Sequence, residues 1–183
     1  MLPSRFAKHL LRDWLLYFEF TLVLSVVYLI VGQALLGGLF ARLGDAAQRA
    51  DIKANVTAGL SSLLCWLVLC GGLARLEYKR GFKENRMGED NPKVVIAQRL
   101  LSLALTLAPL VVFYRAIRYS EFVLLATYRG YLWAYDFLGG SNTWTQALAM
   151  ALGLFALTGT WIALGYGMGY RKFKRAHARA FAD

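Results

Sequence analysis

Residues Trp14–Phe40 read WLLYFEFTLVLSVVYLIVGQALLGGLF. The stretch is apolar almost throughout, and it is longer than the roughly 20 residues that a helix needs to cross a bilayer. One carboxylate, Glu19, interrupts it near its start. The length decides the fold class, and the carboxylate raises the first question about function.

Three further blocks of this kind follow. The reading places spanning helices at approximately 14–39, 56–76, 94–114 and 143–170. Each is long enough for a hydrocarbon core of about 30 Å at 1.5 Å per residue. Hydrophobic residues make up 58% of the 183, gathered in long uncharged blocks and not at the spacing of amphipathic helices. That distribution argues against a soluble helical bundle. The expected fold is an all-α integral membrane protein, a single domain over residues 1–183 built as a bundle of four transmembrane helices.

The chain carries 21 Lys and Arg against 11 Asp and Glu, a net charge of +10. These cations cluster at the ends of the apolar blocks. They therefore read as topology signals and headgroup contacts, and no nucleic-acid groove is expected. The richest clusters are the N-terminal tail, the connection between the second and third spans, and the tail after Tyr170. The positive-inside rule places all three in the cytoplasm, N-in and C-in. The expected location is a plasma membrane, the bacterial inner membrane.

The segment 118–138, between the third and fourth spans, mixes Phe122, Tyr128, Tyr131, Trp133, Tyr135 and Phe137 with Glu121, Arg129 and Asp136. This suits a short amphipathic helix in the outer interface, with its rings at headgroup depth, or else a re-entrant turn. Residues 139–142, Gly-Gly-Ser-Asn, read as the turn into the last span.

Depth suggests a partner for Glu19. It lies about five residues into the first span, and Arg99 lies equally far into the third. Charges inside a membrane tend to pair. An ion pair between Glu19 and Arg99 is therefore expected, with snorkelling to the interface as the alternative. Pro109 removes a backbone hydrogen bond inside the third span and predicts a kink. In the last span Gly159, Ala163 and Gly167 share one face, with Gly165 and Gly169 on an adjoining one. Such series let helices approach closely, within the chain or between subunits.

Lys79, Arg80, Lys83, Arg171, Lys172, Lys174 and Arg175 form an expected cytoplasmic docking face for anionic headgroups or an acidic partner. "YKRGFK" at 78–83 and "YRKFKR" at 170–175 also hint at a repeat of two helical hairpins.

Catalytic groups are scarce. Cys65 and Cys70 point about 140° apart on a helix, and His9 and His177 lie in the tails. No metal site, cofactor or catalytic residue is expected. The chain reads first as a non-enzymatic membrane subunit acting through helix packing, in a homo-oligomer or with other subunits. The alternative is a small oligomeric channel or transporter, lined by Glu19, Gln33, Gln98, Arg99 and Thr106. Uniformly apolar spans with an exposed glycine face would favour the subunit, and a polar stripe along one face of the bundle the channel.

Overall fold

A computed structural model describes residues 3–27, 30, 50–86, 91–113, 127–133 and 143–180. Among these residues the chain is all-helical, with four long helices: α1 (Pro3–Val27), α2 (Ala50–Arg86), α3 (Pro92–Val112) and α4 (Trp144–Ala180). A short 3₁₀ turn covers Arg129–Tyr131. Two of the helices, α3 and α4, are long and apolar enough to cross a membrane.

Local chemistry sets the helix starts. At α3, the backbone N–H of Lys93 donates to Asn91 Oδ1 at 3.1 Å, and those of Val94 and Val95 donate to the Asn91 carbonyl. Pro92 fills the first helical position, where a missing N–H costs nothing. At α4, Thr143 and Gln146 form a reciprocal capping box. The Gln146 N–H donates to Thr143 Oγ1 at 3.3 Å, and the Thr143 N–H donates to Gln146 Oε1 at 3.2 Å.

The ends of the helices overrun the apolar blocks. At 37 residues each, α2 and α4 reach roughly 55 Å. Both tails are rich in Lys and Arg, with Ala added in that of α4, and these good helix formers continue the winding. Pro109 lies inside α3, which remains helical to Val112. The second half of the expected first span, Gln33 within it, lies outside the described residues, as do residues 139–142.

The chain divides into two compact units. One comprises Met1–Tyr17, Cys70–Thr106 and Phe155–Asp183; the other comprises Phe18–Leu69 and Leu107–Leu154.

In the first unit the core is built from Leu73, Leu103, Ile162 and Tyr166. Helices α2 and α4 approach closely there. A Cβ at Gly165 would collide with the backbone of Ala74, and one at Gly169 with the backbone of Tyr78. One turn further on, Phe82 and Phe173 meet edge to face at 6.3 Å. These pairings keep a constant register, so α2 and α4 run parallel, and the two basic-aromatic motifs lie side by side.

In the second unit, Leu69, Leu110, Leu132 and Leu154 are buried. Residues 127–133, the described part of the 118–138 segment, turn their rings inward. Tyr128 packs edge-on against Phe18 at 6.5 Å, Trp133 lies 5.6 Å from Trp66, and Tyr131 is fully buried. The tyrosines expected at headgroup depth are therefore part of this unit's core. Large ring area is stabilised most where it leaves solvent altogether. Gly130 lies against Cys65, Trp66 and Leu69 of α2.

Candidate functional site: a buried ring of alternating charge

In the first unit, α1, α2 and α3 bring four charged side chains together. Asp13 on α1 pairs with Arg99 on α3. Arg99 Nε lies 3.3 Å from Glu77 Oε2 on α2. Glu77 Oε1 lies 3.1 Å from Arg80 Nη1, and the same nitrogen lies 3.3 Å from Asp13 Oδ1, which closes the circuit. Two negative and two positive groups alternate, so the ring is neutral. Asp13 and Glu77 have no solvent exposure, and Arg99 is 3% exposed. Arg12 sits on the rim, 3.6 Å from Asp13 Oδ1 and largely in the open.

Neutral polar groups complete the shell. The Tyr17 hydroxyl donates to Glu77 Oε1 at 3.1 Å, and Gln98 Nε2 donates to Asp13 Oδ2 at 3.2 Å. Buried charges are costly unless paired and hydrogen-bonded. Every charge of the ring is paired, and the hydrogen bonds fall on Glu77 Oε1 and Asp13 Oδ2, while Glu77 Oε2 and Asp13 Oδ1 are held by ion pairing alone.

Within the first unit, polar residues on α3 and α1 adjoin the ring. On α3, Gln98, Ser102 and Thr106 recur every fourth residue and are buried. Ser102 Oγ donates to the Gln98 carbonyl at 3.1 Å, and Thr106 Oγ1 to the Ser102 carbonyl at 2.9 Å. On α1, Asp13 and Tyr17 belong to this unit and are buried; Thr21 and Ser25 continue the same spacing in sequence and are buried in the second unit. On α4, buried Thr158 lies 3.9 Å from the Cys70 thiol.

The expected pair of Glu19 with Arg99 is not formed, because Arg99 takes Asp13 and Glu77 as its carboxylates. Helix phase explains the correction. At about 100° per residue, Glu19 lies roughly 160° from Tyr17 and 120° from Asp13 around α1. Glu19 is exposed. Matched depth identified the correct arginine, but the helix face selected a different acid. The composition of the apolar blocks singles out neither Asp13 nor Glu77. The fourfold spacing of Asp13, Tyr17, Thr21 and Ser25 is the signal that marks the right face.

Arg80 also changes place. It was expected on the docking face, but its side chain is 19% exposed and bound to Asp13 and Glu77. Its neighbours Lys79 and Lys83, with Arg171, Lys172, Lys174 and Arg175, are exposed. Lys172 leans over the Tyr78 and Phe82 rings at 5.7 and 5.9 Å, and Lys174 over Tyr170 at 5.7 Å.

The small-residue series is used within the chain. Gly159 faces Leu100, and the backbone contacts fall on Gly165 and Gly169, whereas Gly167 has nothing within 4 Å. Ala163 is half-buried. Of the expected polar lining, Gln98, Arg99 and Thr106 are buried in the first unit.

Among the described residues, no three His, Cys, Asp or Glu side chains come together as a metal site. Comparison with protein-family models, with curated proteins and with solved structures finds no match, so the geometry of the ring carries the functional argument.

Proposed function

We propose that the chain is a non-enzymatic four-span protein of a plasma membrane, with both termini in the cytoplasm, and that it works as a small channel or transporter for a polar or charged species. Polarity is turned inside out, which supports the membrane reading. Asp13, Glu77 and Arg99 are buried, while Leu15, Val23, Leu64, Val68, Leu101, Leu105, Leu157 and Leu164 are exposed on all four helices. Such faces suit hydrocarbon and not water.

One observation carries the transport reading: the ring of Asp13, Arg99, Glu77 and Arg80, continued within the same unit by Tyr17, Ser102 and Thr106. Arg99 falls within the expected third span, and Asp13, Glu77 and Arg80 fall at the ends of the first and second; ionisable residues held at membrane depth are rare and mark pathways by default. The ring also has the form of a gate. Arg80 and Arg99 each touch both carboxylates, so one contact can open while others hold the helices together. The glycines nearest the helix crossing are spent inside the chain, which leaves less for an intersubunit packing face.

A second reading, a packing subunit clamped by the ring, is favoured by the ring's neutrality: it satisfies its own charges. Gentle extraction from the native membrane, followed by mass measurement of the complex, separates the two. The chain alone, or a ring of identical chains, agrees with transport. A stable complex with different subunits opposes it.

A further inference from the structure

The exposed face of α4 changes chemistry partway along its length. Leu157, Trp161, Leu164, Met168, Arg171 and Arg175 are all exposed. At about 100° per residue, these six fall within roughly 40° of a single line along the helix. The first four are apolar and the last two cationic. The switch occurs between Met168 and Arg171, over a rise of roughly 4.5 Å.

Helix α2 shows the same change. Leu64 and Val68 are exposed and apolar, and Arg75 and Lys79 beyond them are exposed and cationic. The contacts of Gly165 with Ala74, Gly169 with Tyr78 and Phe173 with Phe82 fix the register. Lys79 and Lys83 are thereby level with Tyr170 and Lys174, and the cations of both helices gather at one end of this unit. Lys172 leans inward over Tyr78 and Phe82, which leaves Arg171 and Arg175 as the outward pair on α4.

We propose that this strip of α4 binds an anionic phospholipid, its acyl chains along Leu157–Met168 and its headgroup phosphate against Arg171 and Arg175. The proposal rests on the membrane-spanning reading and is independent of transport. An amphiphile is the one ligand class whose two halves match the two halves of the strip. An acidic protein docked on the cations would leave Leu164 and Met168 bare, and free phosphate would engage the cations alone. Each cation near such a surface favours an anionic lipid by roughly fivefold.

Trp161 lies on the strip and reports on it directly. The full chain is reconstituted in bilayers doped with either phosphatidylglycerol or phosphatidylcholine carrying brominated acyl chains. The emission lost on Trp161→Phe isolates the Trp161 signal. Brominated phosphatidylglycerol is expected to quench that signal with a relative association at least about fivefold above phosphatidylcholine. Arg171→Gln/Arg175→Gln should bring the ratio near one while leaving quenching by phosphatidylcholine intact, which also shows the variant is still inserted. Equal quenching by the two lipids overturns the proposal, as does a preference that survives the double substitution or is abolished by millimolar inorganic phosphate. Quenching by neither lipid overturns the membrane reading with it.

Discussion

Arg99 on α3 and Glu77 on α2 face each other at 3.3 Å with almost no exposure to solvent, and Asp13 on α1 holds the other side of the same guanidinium. Three helices thus meet at one arginine. Removing a partner from such a buried pair costs about 3–5 kcal/mol, because the remaining charge is stranded. Arg99→Gln should lower stability by that amount in thermal or denaturant unfolding of the detergent-solubilised protein. Combining it with Asp13→Asn should cost clearly less than the two single losses added together, and strict additivity would show that the contact contributes nothing.

Glu19→Gln offers the contrast. Its side chain is exposed and lies on another face of α1, so the same unfolding assay should register a change within about 0.5 kcal/mol. A loss comparable with that of Glu77→Gln would mean that Glu19 belongs to the buried network after all.

Tyr17→Phe deletes one hydroxyl and leaves the ring packing in place. The lost hydrogen bond is made to a charged carboxylate, which corresponds to about 1.5–3 kcal/mol. Tyr17→Phe in a Glu77→Gln background should cost less than in the wild type, as a double-mutant cycle would read.

The glycines of α4 should divide by what lies in front of them. Gly165→Ala and Gly169→Ala drive a methyl into the α2 backbone and should destabilise the fold. Gly153→Ala and Gly167→Ala meet nothing within 4 Å and should stabilise by up to about 1 kcal/mol through helix propensity. Unfolding midpoints of the four variants check the division. A uniform response would contradict the α2–α4 crossing.

Much of the helical layout is legible in the residues themselves. Apolar blocks locate the helices, Asn91-Pro92 and Thr143 with Gln146 mark two starts, and the continuation of α2 beyond Phe82 follows from its helix-forming residues. The site is less legible, because helix depth and helix face are separate coordinates. Counting residues from the starts of the two spans matches Glu19 with Arg99 in depth, but only rotation about α1 distinguishes Glu19 from Asp13. Glu77 was hidden for a different reason. It sits among Arg75, Tyr78, Lys79 and Arg80, where a charge reads as one more interface residue until packing turns it inward. Arg80 was misplaced by the same crowding. The tyrosines at 128 and 131 carried an interfacial composition, and tertiary packing gave them a core position.

Solute permeability of reconstituted vesicles tests the central claim most directly. Vesicles containing the chain are compared with empty ones for flux of protons, potassium ions, urea and glycerol. The account predicts that at least one of these crosses faster with the protein present. It also predicts that Arg99→Gln and the milder Tyr17→Phe each change that rate, by about tenfold for every 1.4 kcal/mol altered in the barrier, while Glu19→Gln leaves it alone. Permeability equal to that of empty vesicles for every probe, or a flux indifferent to the ring substitutions in inserted protein, would contradict it.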